Sequence, residues 1–574
     1  MYSNKENVNI LTSLLVAHGV RHAVVCPGSR NSPIVHNLTE CPDIQCHPVT
    51  DERSAGFYAL GMCQATGLPV AVCVTSGTAL LNLSPAVAEA KYQHRPLVVI
   101  SADRPPQWID QLDGQTLQQP GVFGSFVRKS VSLPEPHDDE TRWYCNRLVN
   151  EALLSSVYEE APVHINVPIS EPLFGFTTSF LPQERSIDRT DSFPNFEAIA
   201  IEVGERFLEA SRPMIVIGQT KDDGYPENYG DDYRLVADYA VVLHEPLCDF
   251  ICPSHFDEVL SLVGEQPEYK PDFVLYLGDT IVSKRLKKFL RNCRDCYFVM
   301  ANESGSLCDT FMNLRHWVHC DTSMLLTLAD LLREKQPQPT AFRKLWAQAL
   351  SRAQAHADNY KPSFSQMAAV RLFEQSFDCS RQPIVHYANS SAIRLANVYA
   401  RHYVYCNRGV NGIEGSLSTA AGYSLVTKNP VFIVIGDLSF FYDSNALWNK
   451  QLKGNLRILL LNNGGGGIFR QLPVGDGRSS ALDYVMGSHH TSAAGICQSY
   501  GVEYLSARNE TEMEEGIRIL MQKESPCPVL LEVFTDAATD TQVYKDYYRS
   551  LFLVLTIPSD DGSKWICKCV EHLD

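Results

Sequence analysis

Three α/β domains, each with a mostly parallel sheet flanked by helices, are predicted by three features of this sequence. Its 574 residues exceed what one hydrophobic core organises and suggest roughly three domains of about 150–200 residues each. Short apolar runs alternate with helical patterns along most of the chain, the rhythm of parallel sheets covered on both faces. Polar, proline-containing stretches at 181–194, 336–340 and 360–363 interrupt that rhythm. The implied domains are 1–182, 195–355 and 365–550, with 551–574 an unassigned tail.

In the first domain, residues 22–26, 70–74 and 96–100 are short apolar runs that read as strands, and 31–38, 52–66 and 80–92 read as helices. The second unit offers strands at 214–218, 240–244, 273–277 and 297–300. In the third, two β-like runs at 431–435 and 458–461 frame a segment, 444–453, that reads as a crossover helix between parallel neighbours.

Composition narrows the partners. An apolar content of 45% and a charged content of 20% are ordinary for a globular protein. A net charge of −17 argues against nucleic-acid or anionic-membrane binding, since both need a basic face. The start of the chain lacks the basic and apolar pattern of a signal peptide, and 10–20 is too short to span a bilayer. A cytoplasmic location is expected, with most of the 18 cysteines reduced and buried. Cys293 and Cys296 form a C-x-x-C without a matching second pair, a weak metal or redox signal.

The chemistry-bearing residues cluster at strand ends. Asp437 follows the first run of the third unit and Asn463 the second, with Gly464–Gly467 after it. A carboxylate, a side-chain carbonyl and free backbone carbonyls form an all-oxygen set that suits Mg²⁺, placed where open α/β sheets bind ligands. Two ordinary strand-end turns are the alternative. Glu52 opens a helix rich in small residues, where a first-turn carboxylate is also favoured by the helix dipole alone. Ser29 and Arg30 stand at a strand-to-helix turn, an anion site or a simple cap. Arg104, Lys284, Arg285, Arg394 and Arg408 occupy similar junctions. Each alone reads as a solvated charge. Six such cations with Arg30, in an acidic protein, suggest a pocket for substrates with several carboxylates.

The Gly-Asp…Asn-Asn spacing resembles the diphosphate–metal motif of thiamine-diphosphate enzymes. Cys-Pro-Gly-Ser-Arg (26–30), Asp-Glu-Arg-Ser-Ala-Gly-Phe (51–57), Thr-Ser-Gly-Thr-Ala (75–79), Ser-Ala-Asp-Arg-Pro-Pro (101–106), Ser-Lys-Arg (283–285), Asn-Arg-Gly (407–409), Gly-Asp-Leu-Ser (436–439) and Asn-Asn-Gly-Gly-Gly-Gly-Ile-Phe (462–469) occur in that order. Together they resemble the MenD family, the 2-succinyl-5-enolpyruvyl-6-hydroxy-3-cyclohexene-1-carboxylate synthases of menaquinone biosynthesis, in which Leu438 after the motif Asp is usual. The likeness covers roughly residues 8–550. It departs at Gly114, where many members have Asn before the residue matching Gln115, and in the tail.

The resemblance implies a thiamine-diphosphate-binding fold with pyrimidine-binding, central and diphosphate-binding domains in that order. It implies a transferase reaction: the thiamine ylid attacks 2-oxoglutarate, CO₂ leaves, and the succinyl carbanion equivalent adds in a 1,4 sense to isochorismate. By matching motifs, Glu52 activates the aminopyrimidine, and Asp437, Asn463 and the Gly465 carbonyl hold Mg²⁺ or Mn²⁺. Thr78, Asn389, Ser390, Gly436, Leu438, Ser439 and Gly466 join the cofactor site, and Ile413 keeps the cofactor bent. Gln115, Ser390, Arg394 and Arg408 face the oxoglutarate-derived chain. Ser29, Arg30, Arg104, Lys284 and Arg285 face isochorismate, and Ile468, Phe469 and Leu472 form an apolar wall. The family pattern, with glutamate and metal from different subunits, implies a homodimer at minimum and a homotetramer as the expected assembly. The rivals are another thiamine enzyme, such as an acetohydroxyacid synthase or 2-oxoacid decarboxylase, and a non-catalytic binding homologue.

Overall fold

The structure, a computed structural model, describes residues 1–190, 196–222, 229–248, 254–264, 266–303, 307–320, 323–337, 340–378, 382–467, 482–522 and 524–556. The first domain holds β1 (His22–Val25), β2 (Gln45–Pro48), β3 (Val70–Val74), β4 (Leu97–Asp103), β5 (Lys129–Ser132) and β6 (Val163–Pro168), in the order β2-β1-β3-β4-β6-β5. The central domain holds β7 (Pro213–Ile217), β8 (Val241–His244), β9 (Phe273–Leu277), β10 (Tyr297–Asn302) and β11 (Leu314–His319), ordered β11-β10-β9-β7-β8. The third holds β12 (Ile384–Tyr387), β13 (Val404–Tyr405), β14 (Val431–Gly436), β15 (Leu456–Asn462), β16 (Glu503–Ala507) and β17 (Val529–Phe534), ordered β13-β12-β14-β15-β17-β16.

All neighbouring strands in the three sheets pair in parallel. Their middle strands are buried along their length, as parallel strands covered on both faces must be. The first and third sheets share one strand order, a likeness that the sequence shows only as a similar rhythm. In each, the chain steps to one side of its first strand and then to the other, opening a crevice at the carboxyl ends of those strands.

The first and third domains pack through helices Glu52–Thr66 and Ser416–Leu425, with Phe57, Tyr58, Leu417 and Tyr423 in one apolar cluster. The contact is close: a Cβ on Gly422 would stand 2.2 Å from the Tyr58 carbonyl oxygen. The central domain meets the third at strand ends, where Val404 N–H donates to Pro246 O at 2.7 Å and Gln219 Nε2 to Cys406 O at 3.1 Å. The helix Ala537–Thr556 joins these two domains, burying Tyr547 in the core of the third and Leu551 in that of the central domain.

Three local expectations differ from the structure. The crossover at 444–453 is not a helix. Helix Asp437–Tyr442 starts directly at the strand end, a 3₁₀ turn follows at Ser444–Leu447, and the Asn449 side chain accepts from Gln451 N–H, a local bond that competes with helix. The helix expected at 80–92 is two, Thr78–Leu81 and Ser84–Tyr92, because Pro85 sits in the first turn of the second, where it is tolerated, and cannot continue the first. The last helix runs past residue 550 to Thr556, since Leu551 continues its buried face. The rest of the tail, 557–574, lies outside the described residues.

Candidate functional site

At the end of β14, Asp437 is buried among backbone amides. Its Oδ2 accepts from the N–H groups of Asn463 (3.0 Å), Gly464 (2.9 Å) and Gly465 (3.0 Å), and its Oδ1 from Leu438 (2.7 Å). Register brings these together: Gly436 pairs with Leu461, so the carboxyl ends of β14 and β15 lie side by side. Burial raises Asp437 above the usual carboxylate value, opposed by the Gly465 and Leu438 amides and by His489, whose Nε2 lies 3.5 Å away. Gly465 takes φ +147°, a conformation that essentially only glycine adopts. Residues 486–489 close over this loop, Gly466 N–H donating to Met486 O at 2.7 Å and His489 N–H to Gly464 O at 3.0 Å.

Asn463 lines a cleft of about 40 Å³ with Arg394, Asp540, Tyr544, Gln366 and Ser391. Its Nδ2 donates to Asp540 Oδ2 at 2.9 Å. Ser390, at φ +71°, precedes the helix Ser391–Tyr399 that carries Arg394 into the cleft. The Arg394 Nε is buried without a partner among the described residues, as is that of Arg408.

Arg408 donates Nη1 to Asn389 Oδ1 at 3.0 Å, and Asn389 Nδ2 donates to Asn407 O and Gly412 O. From the first domain, buried Glu89 takes the Gly409 and Val410 amides, each at 2.7 Å, and so fixes the loop bearing Arg408 and Ile413. Ile413 itself is exposed.

In the central domain Lys284 and Arg285 open the helix Lys284–Arg291 and are exposed. Arg285 pairs with Asp257 at 2.5 Å and lies 4.7 Å over the Tyr548 ring. Buried Glu245 accepts the Val282 and Ser283 amides just before this helix and Asn397 Nδ2 from the helix of Arg394. Arg394 lines the cleft with Tyr544, whose ring stands 5.2 Å from that of Tyr548, so the structure brings Arg394 and Arg285 to one aromatic pair.

The first-domain residues form a separate group. Asp51 caps helix Glu52–Thr66, accepting from Arg53 N–H at 2.9 Å, and Asn445 Nδ2 donates to its Oδ2 at 2.7 Å. Glu52 is half-buried, and that burial raises its carboxyl above the ordinary value, with Asp51 adding to the effect. Arg30 does not sit free beside exposed helix amides. It is buried, and its guanidinium donates to Ile169 O and Glu171 Oε1, both at 2.9 Å, because the turn at Ser29 folds it toward the end of β6. Ser29 itself is exposed. Arg104 follows β4 directly, 3.6 Å from Asp113, and its charge adds to the burial that lowers Arg30. Gln115 holds φ +56° with its backbone against Gly77, the residue before Thr78.

Asp437, Asn463, Gly465 and Arg394 thus meet around one cleft and loop, with Gly436, Leu438, Ser439 and Gly466 adjoining. Ile468, Phe469 and Leu472 lie outside the described residues. Sequence reading missed Glu89, Glu245, His489 and Asp540, whose only sequence signal is a carboxylate or imidazole far along the chain from its partner. Cys293 and Cys296 of the C-x-x-C are buried, their thiols donating to Phe289 O and Tyr297 O, and no metal-ligand cluster forms among the described residues.

The donors fit a hard divalent cation: one desolvated carboxylate, a side-chain carbonyl and a glycine carbonyl with a lone pair beyond its bond to Gly467 N–H. The family description "Thiamine pyrophosphate enzyme, N-terminal TPP binding domain" matches residues 6–122, and its C-terminal TPP binding domain counterpart matches 388–533. The chain is 44% identical over 565 residues to the 2-succinyl-5-enolpyruvyl-6-hydroxy-3-cyclohexene-1-carboxylate synthase of Bacteroides fragilis, covering 96% of this chain and 100% of that protein. It is 43% identical over 570 residues to the enzyme of that name from Bacteroides thetaiotaomicron (96% and 100% covered), and 34% over 568 to that from Porphyromonas gingivalis (95% and 97%).

Proposed function

Because this chain belongs to the 2-succinyl-5-enolpyruvyl-6-hydroxy-3-cyclohexene-1-carboxylate synthase family of thiamine-diphosphate enzymes, we propose that it decarboxylates 2-oxoglutarate and joins the remaining succinyl unit to isochorismate in a 1,4 sense. The observation that carries this reading is the full-length identity to enzymes of that name. The cations at strand ends and helix starts agree with it, since the two substrates carry two carboxylates each and arginine forks hold carboxylates bidentately.

Thiamine diphosphate, when bound, supplies the carbon acid and the electron sink, while the protein supplies binding, orientation and electrostatics. Glu52 holds a proton at its partly desolvated carboxyl more readily than an exposed glutamate, which suits a group that shares a proton with a ring nitrogen. Asp437, Asn463 and the Gly465 carbonyl would hold Mg²⁺ or Mn²⁺, an ion that takes its other oxygens from phosphates and water. Arg394 grips the distal carboxylate of 2-oxoglutarate, with Ser390 and Arg408 on the same domain, and by the family pattern Gln115 of the first domain faces the same chain. By the family pattern Arg285 and Lys284 of the central domain and Ser29, Arg30 and Arg104 of the first domain receive isochorismate. The enzyme works in the cytoplasm as a homodimer at minimum, assembled as a homotetramer, a reading that rests on the family pattern. Among the described residues no helix is long and apolar enough to cross a membrane.

Product analysis tests the proposal. Purified protein with thiamine diphosphate, Mg²⁺, 2-oxoglutarate and isochorismate should release CO₂ and the named product in equal amounts. Rapid turnover of pyruvate without isochorismate would assign it instead to another thiamine enzyme, and no CO₂ release with both substrates present to a binding homologue.

A further inference from the structure

We infer that Asp540 orients the Asn463 carboxamide toward the divalent ion and so sets the ion's affinity without touching it. The inference rests on the reading of Asp437, Asn463 and Gly465 as the ion's donors. Asp540 stands in the first turn of helix Ala537–Thr556, 77 residues beyond Asn463. Three groups converge on its carboxylate: Gln366 N–H at 2.8 Å on Oδ1, and Thr535 Oγ1 at 2.7 Å and Asn463 Nδ2 at 2.9 Å on Oδ2.

A carboxamide has two ends of nearly the same shape, and only the oxygen ligates a cation. Turning the Asn463 amide over would press its Oδ1 against the Asp540 Oδ2, two acceptors with no proton between them. Asp540 therefore fixes the NH₂ end on its own side and leaves the carbonyl end for the ion. Its own position is fixed in turn by Gln366 N–H, at the start of helix Gln366–Gln375, and by Thr535, just beyond β17. Orientation is thus relayed to Asn463 from two elements that do not themselves reach the ion, as outer-shell partners of metal ligands do.

Asp540→Asn is the informative change because it keeps the shape. The new amide must keep an oxygen toward Gln366 N–H, so its NH₂ turns toward Asn463 and forces that carboxamide over. Calorimetric Mg²⁺ titration of the protein holding thiamine diphosphate, without substrate, should show affinity weakened roughly 10- to 100-fold. Asn463→Asp alone places two carboxylates together and should also weaken binding. The double variant Asn463→Asp with Asp540→Asn restores a donor–acceptor pair in the reverse direction, and its Mg²⁺ affinity should exceed what the two single losses predict when added. A merely structural role for Asp540 gives no such recovery. The inference is overturned if Asp540→Asn binds Mg²⁺ as tightly as the parent protein while Asp437→Ala does not, or if the double variant shows only the added losses. If Asp437→Ala also binds Mg²⁺ normally, the donor set itself is misassigned and the inference falls with it.

Discussion

Gly61 of the first domain lies so close to Thr419 of the third that a Cβ at position 61 would stand 1.9 Å from the Thr419 carbonyl oxygen. The neighbour is backbone and cannot rotate away, so any side chain there must separate the two helices that join these domains. Overpacking of this kind costs about 1–3 kcal/mol and sometimes more. Gly61→Ala should lower the denaturation midpoint clearly. Gly114→Ala, where nothing lies within 4 Å, should leave it unchanged. Equal midpoints for both variants would show that the helix contact is not tight.

Asp443, at the same domain junction, is fully buried and accepts both the N–H (2.7 Å) and the hydroxyl (2.6 Å) of Ser418. Burial pushes its carboxyl up from 3.8 to about 7. The folded protein therefore holds this proton more tightly than the unfolded chain. The stability it contributes is full below about pH 4 and is lost as pH rises toward about 7. Because one pKa unit corresponds to about 1.4 kcal/mol, Asp443→Asn should remove a slope of a few kcal/mol between those limits. Parallel urea denaturation curves for parent and variant across that pH range, with a constant difference, would contradict this assignment.

Glu52→Gln replaces a carboxylate that can share a proton with an amide that cannot. Cofactor and metal binding should persist while kcat falls by at least about 10²-fold, the usual scale for losing an acid–base contribution. Turnover near that of the parent protein would remove Glu52 from the chemistry.

Asp437→Ala deletes the one carboxylate of the proposed donor set and leaves the amides of 463–465 without their acceptor. Affinities for Mg²⁺ and thiamine diphosphate should fall together, since the proposed ion would be held by protein and phosphate oxygens at once. Excess metal should restore part of the activity. Unchanged cofactor affinity at low metal, measured by calorimetry, would sink the assignment.

Arg394 and Arg285 share an aromatic neighbour but come from different domains, and different roles are expected of them. Losing a charge-assisted contact to a carboxylate costs about 1.5–3 kcal/mol, or roughly 10- to 150-fold in affinity. Arg394→Ala should raise the KM for 2-oxoglutarate and slow CO₂ loss before isochorismate is added. Arg285→Ala should spare that phase and slow only the bond-forming step. Stopped-flow spectroscopy of the cofactor separates the two, and a defect confined to the first phase in both variants would refute this division.

The sequence by itself marked the candidate positions and the family they resemble. Gly-Asp-Leu-Ser and Asn-Asn-Gly-Gly are legible locally, because a strand end followed by a carboxylate or by glycines is where open α/β sheets bind ligands. Alternating apolar runs likewise announced parallel sheets, since a strand covered on both faces must be apolar throughout. Tertiary structure alone decided what those positions touch. Asp540 meets Asn463 across 77 residues, and Glu89 meets Gly409 across 320. Arg30 is buried with its guanidinium on Ile169 O and Glu171, and Arg394 and Arg285 reach the same aromatic pair, Tyr544 and Tyr548. These pairings depend on strand order and on the close approach of helices. A carboxylate that orients a ligand has the same local sequence as one that faces water, and only the packed chain distinguishes them.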